Sequence, residues 1–178
     1  MCEFYCEWLP DLILFNEFND WNEYENYLYE IYLDDFKRNT AYIFDKPIRV
    51  RVNPTISDKD QTFFHITSNS EHAKTNDPND RIPDFRRCER IAWSREIIDN
   101  YLCNNNCKCN KIKLWRQPYK GNTRLHLLFE DVKFLVVLEE RKDYVLFITS
   151  FYMKYNHEVK KQLKKYEKYK KMYSKKRL

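Results

Sequence analysis

Between residues 111 and 151 the chain reads as four short apolar segments, 111–115, 124–130, 134–138 and 144–151, and this run constrains the fold more than any other feature. The last three are joined by turns too short to hold a crossover helix, which predicts antiparallel neighbours in one sheet. The final stretch, YVLFITSFYMKY (144–155), starts as a core strand and then places Thr149, Ser150 and Tyr152 where apolar residues would normally continue. Hydroxyls at the end of a buried hairpin suggest the floor of a site.

Helices are predicted on either side of this meander. One is capped by Asn19 or Asp20 and runs to about Phe36, with Tyr24, Tyr27, Leu28, Ile31 and Tyr32 recurring at spacings of three and four. A second opens at Pro83 and Asp84 and runs to about Leu102, and a lysine-rich third covers 154–173. IRVRV (48–52) alternates as a half-exposed strand with Arg49 and Arg51 on one face, and QTFFHIT (61–67) reads as a second short strand. The expected class is α+β, with N-terminal helices packed on a curved antiparallel sheet of four or more strands and a basic helix at the C-terminus. A chain of 178 residues suits one domain, organised as an acidic helical segment (1–47), an α+β core (48–156) and a lysine-rich helix (157–178).

Several function classes are excluded early. Glycine occurs once, at Gly121, so neither a glycine-rich phosphate loop nor a dinucleotide fingerprint is present. No apolar run approaches the roughly 18 residues of a membrane span, and the acidic MCEFYCEWLPDLILF lacks the basic leader of a signal peptide. The expected location is the cytoplasm, without membrane partners. There the six cysteines should be thiols or metal ligands. Cys103, Cys107 and Cys109 have the spacing C-x3-C-x-C, which is not a usual zinc pattern, so a polar loop is expected ahead of a zinc-stabilised interaction module.

Charge is strongly polarised. Residues 1–36 carry ten acids and no Lys or Arg, whereas 157–178 carry ten Lys or Arg against Glu158 and Glu167. Such asymmetry points to a nucleic-acid surface, with the acidic end facing away from it or covering part of it. Five arginines fall within residues 81–95. Arg86 and Arg90 stand at i, i+4 on the predicted helix and would clamp a phosphate together, with Trp93 beside Arg90. Arg87 and Arg95 extend that cationic stretch, and Lys160, Lys164 and Lys168, interleaved with Tyr166, Tyr169 and Tyr173, offer further nucleic-acid contacts. The apolar face of this last helix is thin for a membrane surface. His65, where the apolar segment meets a polar loop, can exchange protons near neutral pH; His72 in that loop is a weaker candidate. Arg124 and His126 share one face of a strand.

In layout, the segments resemble the barnase–EndoU–colicin–RelE superfamily of small ribonucleases, many of them toxins of toxin–antitoxin or phage-conflict systems. The resemblance covers about 48–156 and is carried by helices preceding a four-stranded antiparallel meander whose last strand ends in hydroxyls plus a tyrosine, TSFY (149–152). It implies metal-independent RNA cleavage by the substrate's own 2′-hydroxyl, with no cofactor and with a protein or RNA antitoxin as partner. On that reading Thr149 and Tyr152 match the terminal motif and Arg124 the strand-borne cation. His65 and Arg86 or Arg90 would complete the catalytic set by their chemistry. The competing expectation is a non-catalytic RNA- or DNA-binding regulator using the same basic surfaces.

Overall fold

In a computed structural model, residues 8–69, 81–102 and 111–174 are described. The chain enters along 8–14 and then forms α1, Trp21–Leu33. The start of α1 is doubly capped: Asp20 accepts from the Glu23 amide at 2.9 Å, and the Glu23 carboxylate accepts from the Asn19 amide at 2.9 Å. The first bond satisfies an orphan first-turn donor, and the second ties the residue before the cap back to the helix. Tyr24, Leu28 and Tyr32 form its buried stripe, and the helix continues into a π-helical turn, Asp34–Arg38, that buries Phe36.

Two short strands follow, β1 (Tyr42–Ile43) and β2 (Lys46–Arg49), then α2 (Gln61–Thr67) and the small ribbon β3 (Ser68–Asn69) with β4 (Ile82–Pro83). Two short helices, α3 (Phe85–Cys88) and α4 (Trp93–Asp99), lead to the meander β5 (Ile112–Tyr119), β6 (Asn122–Phe129), β7 (Phe134–Glu140) and β8 (Val145–Tyr152). Helix α5, Asn156–Ser174, closes the described chain. The main sheet has the order β1-β2-β8-β7-β6-β5. Lys120 (φ 45°) and Gly121 (φ 80°) make the tight turn between β5 and β6, so the one glycine sits where left-handed backbone is required.

The α+β class and the antiparallel meander stand as expected, but the sheet as a whole is mixed. β2 runs parallel to β8 through Ile48↔Val145 and Arg49↔Leu146. The strand expected over 48–52 stops at Arg49. Beyond it, the Arg51 amide and carbonyl are diverted to the Thr62 hydroxyl and amide at 2.8 and 3.0 Å. Residues 61–67 form a helix instead of a strand, burying Thr62, Phe63, Ile66 and Thr67 at helical spacing. In so short a segment both periods fit, and packing against β8 decides between them. The helix expected over 84–102 is two helices separated by turns at 89–92.

Alternation divides the meander into two faces. Leu125, Leu127, Phe129, Phe134, Val136 and Leu138 join the larger core with α1 and α4, whereas Leu128, Leu135 and Val137 meet Val159 of α5 on the other side. Beyond Leu146 the outer edge of β8 has no strand beside it, and α2 and α3 pack there instead. A register shift between Val137 and Leu138 leaves Ile148 as an extra residue just before Thr149.

Candidate nucleic-acid interface

The end of β8 and the C-terminus of α2 are tied together residue by residue. A helix C-terminus leaves carbonyls without intrahelical partners, and here those of His65 and Thr67 find partners outside the helix. The Thr67 hydroxyl donates to the Phe63 carbonyl at 2.8 Å, and the Ser68 hydroxyl donates to that of Phe64. The His65 carbonyl accepts from the Thr149 hydroxyl at 2.8 Å and from Arg87 Nη1 at 3.0 Å. The Thr67 carbonyl accepts from the Asp84 amide at 2.9 Å. Asp84 in turn caps α3, accepting from the Arg86 amide at 3.1 Å, and Asn69 donates to its other oxygen at 3.1 Å. Arg81 donates to the Ser68 hydroxyl and carbonyl, both at 2.8 Å.

These ties shape an open groove of about 750 Å³ between β4–α3 and the start of α5. Arg81, Arg86, Arg87 and Lys154 line it together with Phe85, Phe151, Tyr152 and Tyr155; the acids on its wall are Asp84 and Glu158. The Arg87 guanidinium lies 5.2 Å from the Phe151 ring, while Phe85 and Tyr155 are about half exposed. Behind the groove, His65 is held neutral: burial and then the charges of Arg81, Arg51 and Arg87 push its imidazole down to about 4. A neutral imidazole among three guanidiniums is a proton acceptor set beside fixed positive charge.

The expected site residues divide. Arg86, Arg87 and Tyr152 line the groove, and His65 and Thr149 sit immediately behind it. The Thr149 hydroxyl is engaged with the His65 carbonyl. Arg90 does not form the expected clamp with Arg86, because α3 ends at Cys88 and Arg90 turns back. It donates to the Arg86 carbonyl and the Glu89 carboxylate, and lies between the Tyr152 and Trp93 rings at 4.5 and 5.1 Å. Arg124 is not part of this site. It shares the parity of His126 and Leu128, on the face of the sheet opposite Tyr152, and there it pairs with Glu139 and stacks 3.5 Å from the Tyr119 ring centroid.

Arg95 is not at the interface either; it binds the Asp35 and Asn39 carbonyls and Asp99, fastening α4 to the π-helical turn. Lys160, Lys164 and Lys168 are exposed along α5. The acidic N-terminal segment borders the site instead of facing away from it: Leu9–Leu12 share a neighbouring cleft with Arg90, Trp93 and Tyr152, and the Ile13 amide donates to Glu89.

Arg81 and Lys154 line the groove, and the charge of Arg51 acts on His65, although sequence spacing does not single these three out. Arg51 stands in the alternating IRVRV segment and Arg81 is the first of the five clustered arginines, so their signal is composition without placement. Cys103, Cys107, Cys109 and His72 lie outside the described residues. Among the described residues no group of three or more His, Cys, Asp or Glu could hold a metal ion, and no helix is long and apolar enough to cross a membrane. No protein-family model, curated protein or solved structure matches the chain.

Proposed function

We propose that the chain is an endoribonuclease, a toxin of a toxin–antitoxin or phage-defence system, acting in the cytoplasm on RNA held in the Arg81–Arg86–Arg87 groove. The observation that carries this reading is the groove itself, where guanidiniums alternate with exposed aromatic rings beside a neutral histidine. Cations follow a phosphate backbone and aromatic faces stack on unpaired bases, a combination suited to single-stranded RNA. His65 accepts the proton of the 2′-hydroxyl, whose oxygen attacks the adjacent phosphorus. Arg51, Arg81 and Arg87 stabilise the charge that develops on the phosphoryl oxygens. The Tyr152 phenol, at the groove floor, donates a proton to the departing 5′-oxygen, leaving a 2′,3′-cyclic phosphate. Arg90 holds the Tyr152 ring from the other side, and Thr149 positions the His65 backbone. A neutralising antitoxin, acidic protein or RNA, would cover this groove.

The test is incubation of the purified chain with end-labelled RNA in the presence of a chelator. Scission leaving cyclic phosphate ends is expected, abolished in His65→Ala and blocked by a 2′-deoxy nucleotide at the cut. Salt-sensitive binding without scission of any cellular RNA would replace this reading with that of a non-catalytic RNA-binding regulator.

A further inference from the structure

A second cleft, of about 560 Å³, opens on the outer edge of β5 where the C-terminal half of α5 meets the β5–β6 hairpin. Its floor carries buried polar atoms that the protein leaves unmatched. Trp115 is 1% exposed and its Nε1 has no acceptor, and the Oε1 of Gln117, two residues along the same strand face, has no donor. Beneath Trp115, His126 is stacked at 4.8 Å and 10° between ring planes; it is 7% exposed, and no partner of normal geometry reaches its Nδ1. Buried polar groups without partners are rare in native folds, and of these atoms the Trp115 N–H, a donor on the lining of the opening, is the one that calls for an acceptor from an occupant.

The charge at the opening says which kind. Arg116 and Glu140 form a fork at 3.0–3.3 Å and neutralise each other. Lys165 and Lys168 also line the cleft, and among the described residues neither has a carboxylate within ion-pair distance. Lys165 is partly buried, and burial followed by the nearby Lys161 lowers its pKa, as expected for an ammonium short of counter-charge. Two uncompensated ammoniums and an indole N–H around one space match a dianion bearing several acceptor oxygens.

We propose that this cleft binds a phosphate monoester, with the phosphate on Lys165, Lys168 and Trp115 Nε1 and the rest of the ligand against Tyr169 and Met172. Two sources share that chemistry, a free mononucleotide and the terminal phosphate of an RNA. The site lies at the β5 edge of the sheet, three strands from β8 and the Arg81 groove, and does not depend on the proposed nuclease activity.

The test follows the Trp115 indole N–H resonance of the full chain, identified by its absence in Trp115→Phe, during titration with adenosine monophosphate, inorganic phosphate, and an oligonucleotide with or without a 5′-phosphate. Saturable movement of that resonance by a phosphate monoester is expected. Affinity for the mononucleotide should weaken about tenfold in Lys165→Gln, which removes one charge-assisted hydrogen bond, and remain unchanged in Arg86→Gln, which alters only the other groove. A terminal phosphate binding more tightly than the mononucleotide would assign the site to RNA ends, and equal affinities would assign it to free nucleotides. A resonance that stays fixed at millimolar concentrations of every probe, or binding that survives Lys165→Gln and Lys168→Gln intact, would overturn the proposal.

Discussion

The hydroxyl of Thr149 donates to the main-chain carbonyl of His65 at 2.8 Å, across 84 positions of sequence, and Arg87 donates to the same oxygen. The hydroxyl that interrupts the apolar strand therefore fixes the C-terminus of α2 to the free edge of β8. Thr149→Val keeps the shape and removes the donor, so it should lower stability by about 1 kcal/mol, with Thr149→Ser close to the parent. Urea midpoints at unchanged slope check this. Equal midpoints for the three proteins would show that Arg87 alone satisfies the carbonyl.

Ser150 plays a similar part on the other flank. Its hydroxyl and that of Ser94 lie 2.7 Å apart, both fully buried, joining α4 to β8. Truncating one partner strands the other, so Ser94→Ala or Ser150→Ala alone should cost about 1 to 3 kcal/mol, and the double variant less than the sum. A double-mutant cycle by chemical denaturation measures the coupling, and additivity would show that the hydroxyls do not depend on each other.

The meander is legible in the sequence because its apolar runs are nearly continuous and the last three are separated by short polar turns. Residues 61–67 are not, since seven residues with apolar positions at 63, 64 and 66 satisfy a strand and a helix alike. The pairing of β2 with β8 is hidden for a different reason: it joins residues nearly a hundred positions apart through only two register pairs. Within the site, Arg86, Arg87, His65 and Tyr152 can be picked out by residue type, whereas Arg90 and Arg124 are misplaced by spacing alone. Sequence spacing puts Arg90 on a helix that stops short of it, and one step of strand parity puts Arg124 behind the sheet.

Acid should loosen the second face. Burial, then Lys165 and Arg124, push the His126 imidazole down to about 4 from an ordinary 6.5, with a smaller opposing effect from the Arg124 backbone. Between those values the unfolded chain binds the extra proton and the folded one does not, so this contribution is intact above about 6.5 and is lost as pH falls towards 4. The loss is on the order of 3 kcal/mol for His126 alone. His126→Gln should flatten that part of the stability curve, and an acid limb of unchanged slope in the variant would refute the assignment.

Asp35 acts in the opposite sense over an overlapping window. Burial raises its carboxyl to about 7 from 3.8, Arg95 pulling it down only in part, and its Oδ2 has no hydrogen-bond partner. The folded state binds the proton more tightly, so stability falls as pH rises from about 4 to 7 and stays reduced above that. Asp35→Asn removes the charge in both states. The variant should match the parent near pH 4 and exceed it by about 1 to 3 kcal/mol at pH 8, as read from denaturation midpoints at the two pH values. A gain that does not grow with pH would mean the carboxylate is adequately solvated.

Helix α5 sets the last prediction. Val159 is buried, and Leu163, Tyr166 and Tyr169 pack with it on the sheet, so deleting the helix would uncover the smaller core and report on folding as well as RNA. Lys160, Lys164 and Lys168 instead form one exposed row at i, i+4, i+8 that starts two residues after the groove residue Glu158. Replacing all three by Gln leaves the packed stripe untouched; because Lys168 also lines the cleft at the β5 edge, the RNA used carries no 5′-phosphate. If the row carries RNA away from the groove, log affinity plotted against log salt should become shallower by about 2, at roughly 0.7 for each phosphate no longer neutralised on a single strand. Arg86→Gln should free a single phosphate and so change the slope by about a third as much. Filter binding of a single-stranded RNA from low to moderate salt measures both. An unchanged slope in the triple variant, beside a changed one in Arg86→Gln, would confine the RNA to the groove and leave the lysines as a solvated face.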